Sequence, residues 1–211
     1  MKSRKLQPQH HGWIETILDK EHVDFLWQSI EKGGKDVKHE LAGNISKSFQ
    51  LKDDEDDTFF NSVLFPHVEM YRGMNNNGIE LLSFPVNADL EIYLKDFWVN
   101  YQYKHEFNPP HNHSGVYSFV IWMKIPTHWR DQIELPFLEG IKEGDRKVSN
   151  FEFEYIDMMG HIRHYDYRLE PSMEGHMLFF PSKLMHSVYP FYNCDDARIS
   201  ISGNLWLREV K

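Results

Sequence analysis

The chain has 211 residues, 41% hydrophobic and 15% aromatic, and 32 acidic against 23 basic side chains give it a formal net charge of −9. That length is enough for one domain with a proper core, and the ring content favours strands around a filled interior over disorder. The acidic balance argues against broad attraction to nucleic acid or anionic lipid. Cys194 is the only cysteine, which excludes an internal disulfide and suits a reducing cytoplasm. No run approaches twenty apolar residues, and the basic start Met1-Lys2-Ser3-Arg4-Lys5 is followed by His10, His11 and Gly12 where a secretory signal needs an apolar stretch. A cytoplasmic protein, monomeric or homodimeric, is expected.

From Trp13 to about Gly34 the spacing of Leu18, Phe25, Leu26 and Ile30 predicts a helix stopped by Gly33-Gly34. The acidic run Asp53 to Asp57 offers a cap before a second amphipathic helix through Phe59, Val63, Leu64, Val68 and Tyr71, which Pro66 should kink or split. Asn75-Asn76-Asn77-Gly78 is turn chemistry and closes this helical part, residues 1–78.

The period then changes to two. Phe97, Val99, Tyr101, Tyr103, His105 and Phe107 alternate with Trp98, Asn100, Gln102, Lys104 and Glu106, which predicts a strand. Val116–Ile125 is a nearly unbroken apolar run, a strand buried on both faces. Phe151–Tyr155 and Ile162–Leu169 read as a hairpin about Met159-Gly160, and Met177–Phe180, Ser187–Pro190 and Arg198–Leu207 supply further strands. Helices followed by about eight short strands predict a single domain whose residues 79–211 form a sheet folded on itself, with the helices packed outside. Residues 131–149 look like a long polar loop, of a length that often serves as a lid, and the helix over 58–72 is a candidate wall for the same pocket.

The chemistry concentrates around Asn108-Pro109-Pro110-His111-Asn112-His113-Ser114-Gly115. Two histidines two apart on an extended backbone face the same way, and the prolines keep the segment extended. His186 follows a strand bracketed by Gly175 and Pro181, and a histidine pair plus a third from a distant strand is the layout of a facial three-ligand metal site. On the last strand Arg198, Ser200, Ser202 and Asn204 share one face. If that face points inward, a guanidinium is buried and needs an anion, either a bound carboxylate or an internal acid such as Asp195.

These residues resemble the 2-oxoglutarate/Fe(II)-dependent oxygenase superfamily, and in particular its prolyl-4-hydroxylase-like oxygenases of bacteria and marine phages. The resemblance runs from about Phe97 to Trp206. It implies a mainly β double-stranded β-helix (a jelly-roll, cupin-like barrel) with flanking N-terminal helices. It implies iron(II) on His111, His113 and His186, and the far carboxylate of the cosubstrate 2-oxoglutarate on Arg198 and Ser200, with Tyr101 or Tyr103 completing that carboxylate site. The implied reaction hydroxylates a small-molecule or peptidyl substrate while 2-oxoglutarate is decarboxylated to succinate. One departure stands out. The family's His-x-Asp or His-x-Glu is His-x-His here, and no Asp or Glu occurs between Glu106 and Asp131 to repair it. Losing that carboxylate leaves the ion's charge less neutralised.

Two other readings compete. Gly175, Pro181 and His186 also have the spacing of a cupin motif, as in a metal-dependent dioxygenase or isomerase that uses no 2-oxoglutarate, though the glutamate that motif needs after His113 is absent. A non-catalytic jelly-roll binding module leaves three histidines and an arginine converging without cause. Elsewhere, His161-x-x-His164 reads as solvated side chains at a turn, Trp98, Trp122 and Trp129 as buried rings or a groove lining, and Asn108 and Asn204 as polar groups available to a ligand.

Overall fold

The computed structural model describes residues 12–40, 42–51, 54, 56–74 and 89–210, together with Ser3. His10, His11 and the Asn75–Gly78 turn lie outside them. Among the described residues, ten strands fold as two antiparallel sheets. They are β1 (Ile14–Ile17), β2 (Lys47–Gln50), β3 (Leu90–Gln102), β4 (Asn108–His111), β5 (Tyr117–Lys124), β6 (Asn150–Ile156), β7 (Ile162–Arg168), β8 (His176–Pro181), β9 (Met185–Val188) and β10 (Arg198–Glu209). The larger sheet has the order β1-β8-β5-β10-β3-β2 and the smaller the order β4-β9-β6-β7. This is the expected double-stranded β-helix.

Strand β5 shows why the two sheets close on each other. Its residues 117–123 are all buried. Tyr117, Phe119, Ile121 and Met123 point to a core shared with the helices, while Val120 and Trp122 point to a second core between the sheets with Phe151, Phe153, Tyr167, Leu178 and Phe180. Each fully buried side chain of this size contributes about 1.5–3 kcal/mol, and period-two alternation divides that gain between two layers.

Helix α1 (Lys20–Glu31) and helix α2 (Phe65–Met74) lie on the outer face of the large sheet. Asp54 accepts from the backbone N–H groups of both Phe59 and Phe60, so the acidic run does cap the second helix. A π-helical turn over Phe60–Leu64 precedes α2, with Phe65 N–H reaching Phe60 O immediately before Pro66, whose missing N–H marks the predicted break. Gly33 ends α1 with φ of 70°, as a glycine stop should.

Three expectations are corrected. Trp13–Leu18 does not begin a helix; Ile14–Ile17 pairs with β8, and β2 pairs with β3, so the first 78 residues contribute strands as well as helices. The strand expected to reach Phe107 ends at Gln102, where a turn with His105 at φ 71° redirects the chain into β4. Residues 131–149 are not an open lid. Helix α3 (Trp129–Ile133) and two 3-10 turns fold over a small core of Ile133, Leu135, Leu138 and Val148, against Tyr192. Among the described residues, no helix is long and apolar enough to cross a membrane.

Candidate metal centre

Strands β4 and β9 pair so that His111 stands directly opposite His186, and His113 follows where the chain leaves β4. The ligand nitrogens of the three histidines all lie within 4.8 Å of one another. Nδ1 of His111 donates to Pro109 O at 2.8 Å and Nδ1 of His186 to Leu184 O at 2.9 Å. Those bonds fix the tautomer, so the Nε2 lone pairs of both rings remain available for a ligand. Nε2 of His113 is 3.1 Å from Nε2 of His186. A metal about 2.1 Å from two nitrogens at a right angle sets them about 3 Å apart, so the spacing fits adjacent corners of one coordination sphere.

Burial depresses the basicity of all three rings. It lowers His111, and it brings His113 down to about 4, with the neighbouring His111 and Lys183 adding to the effect. His186 is only 4% exposed and lies well below the usual imidazole range, through burial first and then the other two histidines. The site is therefore held neutral at pH 7, the state in which imidazole binds a cation. Among the described residues, no carboxylate joins the converging ligand atoms. Imidazole nitrogens bind iron, zinc, copper and nickel alike, so the three donors fit iron(II) without selecting it over those metals.

The inner faces of β3 and β10 build the rest of the cavity. Trp98, Asn100, Gln102, Ser200 and Ser202 line it beside His111, His113 and His186, and Val120, Phe151, Phe180 and Val188 form its apolar wall. The polar residues of the alternating strand therefore face inward and the apolar ones outward toward the helices. That reversal decides the fate of two candidates. Tyr101 packs edge-on against Phe49 beneath Lys47, on the side away from the histidines. Tyr103 lies past the end of β3, where its backbone N–H donates to Glu106 Oε2 and its carbonyl accepts from Glu106 N–H. Neither tyrosine lines the cavity. Residues 126–149 and the helix over 58–72 do not line it either.

Ser200 lines the cavity, and Arg198 lies behind Gln102, only 3% exposed. Its Nε donates to Gln102 Oε1 at 3.0 Å, Nη1 to Ser149 O at 2.9 Å and Nη2 to Tyr189 O at 3.0 Å, and the guanidinium sits over the Phe191 ring. Every one of these partners is uncharged. Asp195 is taken by Lys104 and Asp196 by Lys124, so the internal salt bridge weighed for Arg198 is not made. Burial alone pushes the guanidinium's pKa down to about 9. Among the described residues, three of its five N–H groups have acceptors.

A second cavity adjoins the first and shares Ala42, Trp98, His111 and His113 with it; Asp96, Gln50, Asn112, Ser114 and Asn204 complete its polar lining. Sequence reasoning did not single out Asp96. The signal was its place as the last polar residue before the alternating stretch that begins at Phe97.

Comparison with known proteins decides the family. The model described as "Putative 2OG-Fe(II) oxygenase" matches residues 96–204, just over half of the chain. The chain belongs to the 2OG-Fe(II) oxygenases. It is an oxidoreductase whose cofactors are iron(II) and 2-oxoglutarate. No curated protein matches its sequence. Among solved structures, a Pseudomonas putida prolyl-4-hydroxylase is 15% identical with a TM-score of 0.51, over 95% of this chain and 94% of that one. A 2OG-Fe(II) oxygenase-family oxidoreductase from Burkholderia pseudomallei is 11% identical with a TM-score of 0.55, over 92% and 85%. The viral collagen prolyl hydroxylase of Paramecium bursaria Chlorella virus-1, in a 2-oxoglutarate complex, is 13% identical with a TM-score of 0.51, over 94% and 96%. At these identities the likeness is one of fold, and it extends well beyond the segment that the family model covers. Family membership sets aside the cupin and the non-catalytic readings.

Proposed function

We propose that His111, His113 and His186 hold the iron of this oxygenase, and that Arg198 with Ser200 receives the far carboxylate of 2-oxoglutarate. The observation that carries the reading is the pairing of three neutral, converging imidazoles with a buried guanidinium that has no acidic partner among the described residues of the same barrel. A buried cation without a counter-charge is costly, and a carboxylate supplied by a ligand removes that cost.

The chemistry that iron(II) and 2-oxoglutarate supply is hydroxylation of a C–H bond by dioxygen, coupled to conversion of 2-oxoglutarate to succinate and carbon dioxide. The chain's own part is positional. Pro109 O and Leu184 O hold two imidazoles in the ligating tautomer. Gln102, which lines the cavity, anchors Arg198 Nε behind it while its own amide donates to Glu106 O, which fixes the guanidinium plane. Val120, Phe151, Phe180 and Val188 keep that side of the cavity dry. Tyr101 and Tyr103 take no part, and Asn100 and Ser202 supply the remaining polar groups on the inner wall.

The substrate is a small molecule or a peptidyl group, the two classes that suit a cavity open beside the metal ligands; the prolyl hydroxylases among the structural neighbours are consistent with either. The net charge of −9 favours neither nucleic acid nor an anionic membrane as partner. The lone thiol fits the reducing cytoplasm, in a monomer or homodimer. Anaerobic addition of iron(II) and then 2-oxoglutarate tests the site. A weak visible charge-transfer band should form, be abolished in His186→Ala and weakened in Arg198→Ala. A band of full strength in His186→Ala would sink the assignment.

A further inference from the structure

The cavity outside the histidines carries an electrostatic signature. Among the described residues that line it, Asp96 is the only carboxylate and none is Lys or Arg; the other polar groups are the imidazoles of His111 and His113, neutral amides, a serine and an indole. The Asp96 carboxylate is held by two uncharged donors on one oxygen, Oδ2, which accepts from Asn204 Nδ2 at 3.1 Å and Trp206 Nε1 at 3.2 Å. No cation pairs with it among the described residues. Such a group is oriented by its neighbours and left unneutralised, which is how a site holds a cation that arrives from outside.

An independent observation points to a ligand at the same place. Trp98 is 7% exposed and lines both cavities, with its ring 5.8 Å from that of His113, and among the described residues its buried Nε1–H has no acceptor. Buried indole donors are normally satisfied, so this one calls for an acceptor that the described residues do not supply. Asp96 and Trp98 are two apart on β3, which puts both on the inward face.

We propose that the substrate carries a protonated amine beside an uncharged hydrogen-bond acceptor. Asp96 takes the ammonium and Trp98 Nε1–H donates to the acceptor, an amide carbonyl or a hydroxyl. The inference rests on the oxygenase assignment above, and it names the substrate class for that site. A carboxylate in the ammonium's place is disfavoured, because it would meet the like charge of Asp96. The pair acts by positioning, placing a C–H bond close to the amine near the histidines.

The test uses the full chain, loaded anaerobically with iron(II) and 2-oxoglutarate, and calorimetry with paired probes. The probes are glycinamide, L-prolinamide and L-leucinamide, each with its N-acetylated counterpart. At least one free amine should bind at least about tenfold more tightly than its acetylated partner, since a charge-assisted bond is worth more than a neutral one. Asp96→Asn should erase that ratio, and Trp98→Phe should weaken every probe that binds while leaving the charge-transfer band of the 2-oxoglutarate complex in place. If the band forms but amine and acetylated probes bind alike, or none binds, the inference is overturned and the oxygenase assignment stands. If Trp98→Phe removes the band, the indole serves the cosubstrate and this half of the proposal fails. If no band forms in the parent protein, the site assignment fails, while the amine preference and its loss in Asp96→Asn still report on this cavity.

Discussion

Arg198→Met separates a guanidinium kept for a ligand from one kept for the fold. The side chain is 3% exposed, its partners are all neutral, and burial brings its pKa down to about 9. That drop from the ordinary value of 12.5 corresponds to an upper limit of roughly 5 kcal/mol against the buried charge. Methionine removes this penalty but strips donors from Ser149 O, Tyr189 O and Gln102 Oε1. Each lost bond costs about 1 kcal/mol, more where the acceptor is left dry. The two effects nearly cancel, so the ligand-free variant should unfold within about 2 kcal/mol of the parent. Its response to 2-oxoglutarate should differ sharply. At a hundred times its dissociation constant, a ligand adds about 2.7 kcal/mol, or roughly 5–10 °C for a chain of this size. Thermal unfolding with manganese(II) present, with and without 2-oxoglutarate, reads both quantities. The parent should show the shift and the variant should lose most of it. An intact shift in the variant, or a loss of more than about 4 kcal/mol without ligand, would refute the reasoning and make Arg198 a structural group.

Further outcomes follow from the same geometry. The metal-free protein should lose stability as pH falls from 6.5 toward 4, because unfolded imidazoles protonate there while the buried ones stay neutral. His113, with its pKa brought down to about 4, contributes about 2 kcal/mol of that loss between pH 7 and 5. Urea denaturation at the two pH values should show a smaller difference in His113→Asn, and an equal difference would contradict the assigned cause. His113→Asp rebuilds the family's His-x-Asp motif and should keep iron(II) affinity within about tenfold, whereas His113→Ala should lose at least about a hundredfold; competition with a chromogenic chelator measures both. Gly203→Ala should cost about 1–3 kcal/mol, because the added Cβ meets Asp96 O and two atoms of the Phe119 ring at 2.6 Å. Unchanged denaturation would show that β10 and β3 can separate without loss.

The strands were legible because their periodicity is strong, and the three histidines because their spacing has a chemical meaning. What periodicity does not give is the direction of a face. In β3 the apolar set Phe97, Val99 and Tyr101 looks like the interior, yet it packs outward onto the helical layer. Trp98, Asn100 and Gln102 form the lining of a polar cavity. A barrel that holds a charged cosubstrate inverts the usual rule of polar residues outside, and that inversion moved Tyr101 away from the site. Strand β1 was hidden for a different reason: only four residues long, it runs straight into the amphipathic pattern of α1 and takes its identity from pairing with β8. Residues 131–149 read as a loop because their small core of Ile133, Leu135, Leu138 and Val148 has no single period. The absence of an acid beside Arg198 is a tertiary fact; Asp195 and Asp196 are near it in sequence and are drawn off by Lys104 in the turn after β3 and Lys124 at the end of β5.

The most direct test of the metal assignment is a crystal structure of the manganese(II) and 2-oxoglutarate complex, in which manganese takes iron's place without reacting. The account predicts one ion about 2.0–2.3 Å from a ring nitrogen of each of His111, His113 and His186, with the far carboxylate within hydrogen-bond reach of Arg198. An ion bound by fewer than three of these histidines, or a carboxylate that leaves Arg198 untouched, would contradict it.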